Sequence, residues 1–114
     1  MLRLQPVLQR LLEAERQARH RLVACEAEWA TQRARLADLH RYAGEYRQRT
    51  QAGAVPVATL RDHQQFVGRL EQLALNQERA VATAEQACAR AREELQRRQR
   101  RSEGLRRLIG RYQA

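Results

Sequence analysis

Two stripes of seam residues, each stepping by four and three without a slip, constrain this chain more than any other feature. The first runs Leu4, Leu8, Leu11, Glu15, Ala18, Leu22, Cys25, Trp29, Gln32, Leu36, Leu39, Ala43, Tyr46. The second runs Leu60, His63, Val67, Leu70, Ala74, Gln77, Val81, Ala84, Cys88, Ala91, Leu95, Arg98, Ser102, Leu105, Ile109, Tyr112. A repeat of 3.5 residues sustained over this length predicts a coiled coil rather than a globular helical domain. With 43% hydrophobic but only 4% aromatic residues, the chain can line a narrow seam and has little bulk for a layered core.

The seam is lost after Tyr46, across a segment holding Gly53 and Pro56. Glycine there can close a helix C-terminus in the left-handed conformation, and proline forbids simple continuation. Thr59, followed by Asp62, reads as an N-cap. The expected fold is therefore all-α: one domain over 1–114, with helix one at about 2–50, a loop at about 51–58 and helix two at about 59–113. At about 1.5 Å per residue the helices reach roughly 70 and 80 Å. A connection this short makes them antiparallel neighbours in a coiled-coil hairpin.

Stagger can be guessed by asking polar seam positions to meet, because a lone charge opposite alanine loses its hydration without return. Pairing positions whose numbers sum to about 113 sets Glu15 against Arg98, Leu8 against Leu105 and Cys25 against Cys88. A stagger one heptad shorter would instead set Glu15 against Ala91. Cys25 and Cys88 could form a redox clamp; the simpler reading is two small apolar residues sharing a layer, since nothing marks the chain for export and cytosolic thiols stay reduced.

Catalysis finds no support. All 22 basic residues are arginine, so a P-loop lysine, a Schiff base and a Ser/Lys dyad are excluded. The glycines are dispersed, and Glu13/Glu15 and Glu93/Glu94 would stand in water with no concave pocket to perturb them. His20, His40 and His63 are scattered singly and no Cys-x-x-Cys occurs, so no metal and no cofactor is expected. Nor does any apolar run approach the roughly 18 residues of a membrane span, and Met1–Arg10 does not resemble a secretory signal. The chain reads as a soluble, cytoplasmic protein.

Charge is the remaining lead. The formal net charge is +9 and the isoelectric point about 11.2. From Arg90 to Arg111 nine arginines outweigh Glu93, Glu94 and Glu103. Glu93/Arg97, Glu94/Arg98 and Glu103/Arg107 are spaced for i,i+4 pairing, which suits a solvated face. An acidic protein surface is the alternative partner. Nucleic acid fits less well, because no aromatic residues interleave the arginines for base stacking.

The segment Arg41-Tyr42-Ala43-Gly44-Glu45-Tyr46-Arg47, the break, and His63-Gln64-Gln65-Phe66-Val67-Gly68-Arg69-Leu70-Glu71 followed by Gln77 together resemble the FliJ family of flagellar export proteins. Ser102 to Tyr112 is similar to that family's late stretch, whereas His63 stands where the family often has tyrosine. The resemblance implies a non-enzymatic coiled-coil stalk of the type III export apparatus. It would bind the ring of the export ATPase FliI, promote ring assembly and hydrolysis, and contact the export gate FlhA, with FliH and substrate chaperones as further partners. It would sit in the cytoplasm, at the cytoplasmic face of the inner membrane. The family's gate-binding positions correspond to Phe66, Leu70, Leu73 and Gln77. Phe66 and Leu73 lie beside the seam, where a two-stranded rod would leave them partly exposed, and this suggests a docking strip. For the ring, the expected contacts are Arg97, Arg100, Arg101, Arg106, Arg107 and Arg111. The alternatives are a generic coiled-coil scaffold and a basic nucleic-acid-binding hairpin.

Overall fold

The computed structural model describes residues 3–51 and 57–113, with side chains for 3–50 and 58–112. The described residues form two helices, α1 (Leu4–Gln51) and α2 (Val57–Gln113), and no strand. Pro6 falls in the first turn of α1, where its missing N–H removes no intrahelical bond. At the other end the Thr50 hydroxyl approaches the carbonyls of Arg47 (2.8 Å) and Tyr46 (3.3 Å), and Arg49 adds a cation beside the last turn's exposed carbonyls. α2 begins at Val57, so Thr59 lies inside the helix and is not its N-cap. The expectations placed on Gly53 and Pro56 lie outside the described residues.

The fold is the expected antiparallel helical hairpin, with contacts gathered into two units. One, here the terminal unit, joins Met1–Glu28 to Glu85–Ala114; the other, the loop unit, spans Trp29–Ala84. Within each unit the seam is what the stripes specify. Every position of the first stripe is buried or half-buried, and so is every position of the second except its two ends, Leu60 and Tyr112. The three most enclosed residues are small, Ala18, Cys88 and Ser102; Ala74 and Ala84 are buried too, as are Leu70, His63 and Ile109. Alanine and serine let two backbones approach closely, while leucines such as Leu70 supply apolar area.

The expected pairing of Glu15 with Arg98 needs correction. In the terminal unit Glu15 accepts a hydrogen bond from Ser102 (2.8 Å), one turn beyond Arg98, whose Nε donates to Glu94 on its own helix (2.7 Å). Helical side chains lean toward their own N-terminus, so in an antiparallel pair the Glu15 carboxylate reaches later residues of α2. In the loop unit Gln77 Nε2 donates to Gln32 Oε1 (2.7 Å) and to the Gln32 carbonyl (2.9 Å). The premise that polar seam residues meet one another holds for both layers. Cys25 and Cys88 are not joined in a disulfide.

Gly44 and Gly68 are ordinary helical residues, and a Cβ added at either meets nothing within 4 Å. Replacing either with alanine removes backbone entropy from the unfolded chain without a clash. Each single variant is expected to gain about 0.5–1 kcal/mol of stability, read as a higher midpoint in thermal unfolding followed by helical circular dichroism.

Candidate functional site: two exposed surfaces

In the loop unit, residues within the four-residue steps of the seam face one another across the helices: those that open a step, following a seam residue, on one side, and those that close it, preceding one, on the other. On the following side Arg47 pairs with Glu71, and His40 Nε2 lies 4.0 Å from a Glu78 oxygen. On the preceding side Tyr42 meets Phe66 edge-on, with centroids 6.4 Å apart. One flank of the hairpin is thus charged and the other apolar. Tyr46, a seam residue, packs its ring on His63 at 4.2 Å and on Phe66 at 4.6 Å.

The four residues expected at the gate divide between these environments. Leu70 is 7% exposed and belongs to the seam; Gln77 is half-buried and spent on Gln32. Phe66 is half-buried beneath Tyr42 and Tyr46, so its exposed edge is smaller than its flank position alone suggests. Leu73 is 52% exposed. The accessible apolar surface of this flank is therefore Leu73 with Tyr42, itself 50% exposed, and the rim of Phe66. A shallow groove continues it past Leu39, Arg35, Asp38 and Glu45. Tyr42 was missed as a surface residue because a seam count classifies it only as "outside"; its place directly before Ala43, as Phe66 stands before Val67, was the available signal.

In the terminal unit Arg100, Arg101, Arg106, Arg107 and Arg111 are exposed. Arg97 is tied to Glu94 (2.6 Å), not to Glu93, and Arg98 shares the same carboxylate. The bonds from Arg97 and Arg98, in that order, hold the Glu94 carboxyl below the usual carboxylate range. Glu15 is also lowered, first by the Ser102 hydroxyl, against the opposing effect of burial, and then by Arg19 and the positive field of Arg106. Among the described residues Arg100, Arg101, Arg107 and Arg111 form no ion pair within 4 Å, and the expected Glu103/Arg107 pair does not form. Of the six arginines expected at the ring, these four and Arg106, which forms no ion pair among the described residues either, offer guanidinium groups uncommitted to a carboxylate.

The family model described as Flagellar FliJ protein matches residues 1–114 of the chain. The chain belongs to the FliJ family. No curated protein and no solved structure matches it. As a FliJ-family member it is a protein of the flagellar export apparatus, a family of export components and not of known enzymes. Among the described residues no helix is long and apolar enough to cross a membrane, and no group of three or more His, Cys, Asp or Glu could hold a metal ion.

Proposed function

We propose that this FliJ-family chain is a non-enzymatic stalk that binds the ring of the export ATPase FliI, promotes ring assembly and hydrolysis, and couples the ring to the export gate FlhA, with FliH and substrate chaperones as further partners. The family match over the whole chain carries the reading, and the surface chemistry supports it. The uncommitted arginines of the terminal unit suit acidic loops repeated around a ring. A long, always-charged side chain can reach alternative carboxylates as it meets identical subunits in turn, so no single contact is indispensable. The gate surface is the apolar flank of the loop unit, with Leu73 and Phe66 as its contacts. Leu70 and Gln77 act from the seam by holding the strip in place, and Arg97, which shares Glu94 with Arg98, adds to the ring surface only its remaining N–H groups. The work is done in the cytoplasm, at the inner membrane's cytoplasmic face.

The test is to mix the purified chain with the export ATPase and follow hexamer formation and phosphate release. Faster hydrolysis and more hexamer are expected; an ATPase indifferent to the chain would end the reading. The gate half is tested separately by replacing Phe66 and Leu73 with serine together. Gate binding should weaken by about tenfold or more, the usual effect of removing interface anchors, while ATPase stimulation and helicity stay as in the parent. Undiminished gate binding by a helical variant would refute the assignment.

A further inference from the structure

The second stripe ends earlier than its pattern suggests. Ile109 is 8% exposed, but Tyr112, the next seam position, is 68% exposed. Leu108 is also open to solvent at 40%, and it stands four residues before Tyr112, so the two side chains are neighbours on one helical face. Val7 of α1 is exposed to the same degree. It precedes the seam residue Leu8 just as Leu108 precedes Ile109. Positions that close a four-residue step share a flank, as the Tyr42–Phe66 contact demonstrates in the loop unit, so Val7 and Leu108 line the same side of the terminal unit.

Arginines frame this apolar spot. Arg101 lies one heptad before Leu108 on the same flank, and Arg107 and Arg111 stand beside it, none of the three engaged in an ion pair among the described residues. A face meant only for water would carry polar residues at Leu108 and Tyr112. A tyrosine and a leucine ringed by unpaired arginines instead have the composition of an interface centre with a charged rim. Nucleic acid would use the arginines and leave Leu108 without a role.

We propose that Leu108 and Tyr112, with Val7 beside them, are the apolar anchor of the contact with the ATPase ring, and that the ring presents an apolar pocket bordered by carboxylates. The inference rests on the ring reading above and adds a division of labour to it. The arginines attract and orient; the anchor holds the complex once water is expelled. Salt separates the two roles, since screening at about 1 M reaches within roughly 3 Å and removes the attraction of exposed charges while leaving apolar burial in place.

The experiment is a titration of the purified export ATPase with the full chain and three variants, at low and high salt, reading the concentration for half-maximal stimulation. Leu108→Ser with Tyr112→Ser should raise that concentration about tenfold or more at both salt levels. Tyr112→Ser alone, which removes a side chain the fold does not enclose, should show a smaller rise with unchanged helicity, and Tyr112→Phe should behave as the parent. A parent chain that stimulates while the serine variants match it overturns the anchor and leaves the ring reading standing. A parent chain that neither binds nor stimulates overturns both.

Discussion

Replacing Ser102 with aspartate is expected to destabilise the hairpin by about 3–5 kcal/mol, the usual cost of a buried charge without a partner. Ser102 is 1% exposed, and its hydroxyl donates to Glu15 across the seam. The Gln99 carbonyl, 3.1 Å away, competes for the same proton, so the serine can serve as a donor and has nothing to spare. An aspartate there sets carboxylate against carboxylate in the seam, where Ser102 is closed to water and Glu15 is half-buried with its other oxygen on Arg19. Ser102→Asn is the control: it has nearly the same volume as aspartate but keeps a donor for Glu15, and should cost only about 1–2 kcal/mol of crowding. Equal losses for both variants, measured by urea unfolding at neutral pH, would show that size and not charge governs the layer.

The same site predicts opposite responses to acid. In the parent chain the folded-state affinity of Glu15 for a proton is lowered, chiefly by Ser102. Its contribution to stability is therefore complete above the unfolded carboxylate range and is lost as pH falls through the lowered folded value. In Ser102→Asp two facing carboxylates share one proton, which raises one folded value. Here the folded state holds the extra proton, so stability falls as pH rises through that value. Unfolding free energies measured from neutral to acid pH should run down for the parent and up for the variant. Parallel slopes would refute the electrostatic account.

The stripes made much of this fold legible in the sequence, because period reports which face is buried: no position of either stripe is exposed apart from Leu60 and Tyr112 at the ends of the second. The polar partners across the seam were not legible to better than a turn. Glu15 meets Ser102 one turn later on α2 than expected and Gln32 meets Gln77 one turn earlier, offsets of opposite sign that reflect side-chain reach and not a shift of the helices, while Arg98 turns back to Glu94. The site was half legible for a related reason. Seam counting identifies what lies outside the seam without telling an exposed flank from a covered one, and the covering of Phe66 by Tyr42 and Tyr46 is a contact between helices. Leu73 has no aromatic partner among the described contacts and stays open; Leu108 escaped notice because its neighbours in sequence are arginines whose charge dominated the reading.

Reversing Arg100, Arg101 and Arg107 to glutamate is expected to weaken ATPase stimulation by roughly 30- to 100-fold at low salt, from about 2–3 kcal/mol spread over three rim charges. None of the three forms an ion pair among the described residues, and all are exposed, so the hairpin should unfold within about 0.5 kcal/mol of the parent. That separation gives the variant its value, since lost stimulation then cannot be charged to a damaged seam. Arg97→Glu is the contrasting case. It breaks the bond to Glu94 and places like charges three residues apart, yet Arg98 still holds that carboxylate, so a small loss of stability and a smaller loss of stimulation are expected. As salt rises, the defect of the triple variant should shrink, because the attraction it abolishes is the screened part of the contact. A defect of equal size at all salt concentrations would mean that these arginines bury against the ring as packed contacts and do not act through their field.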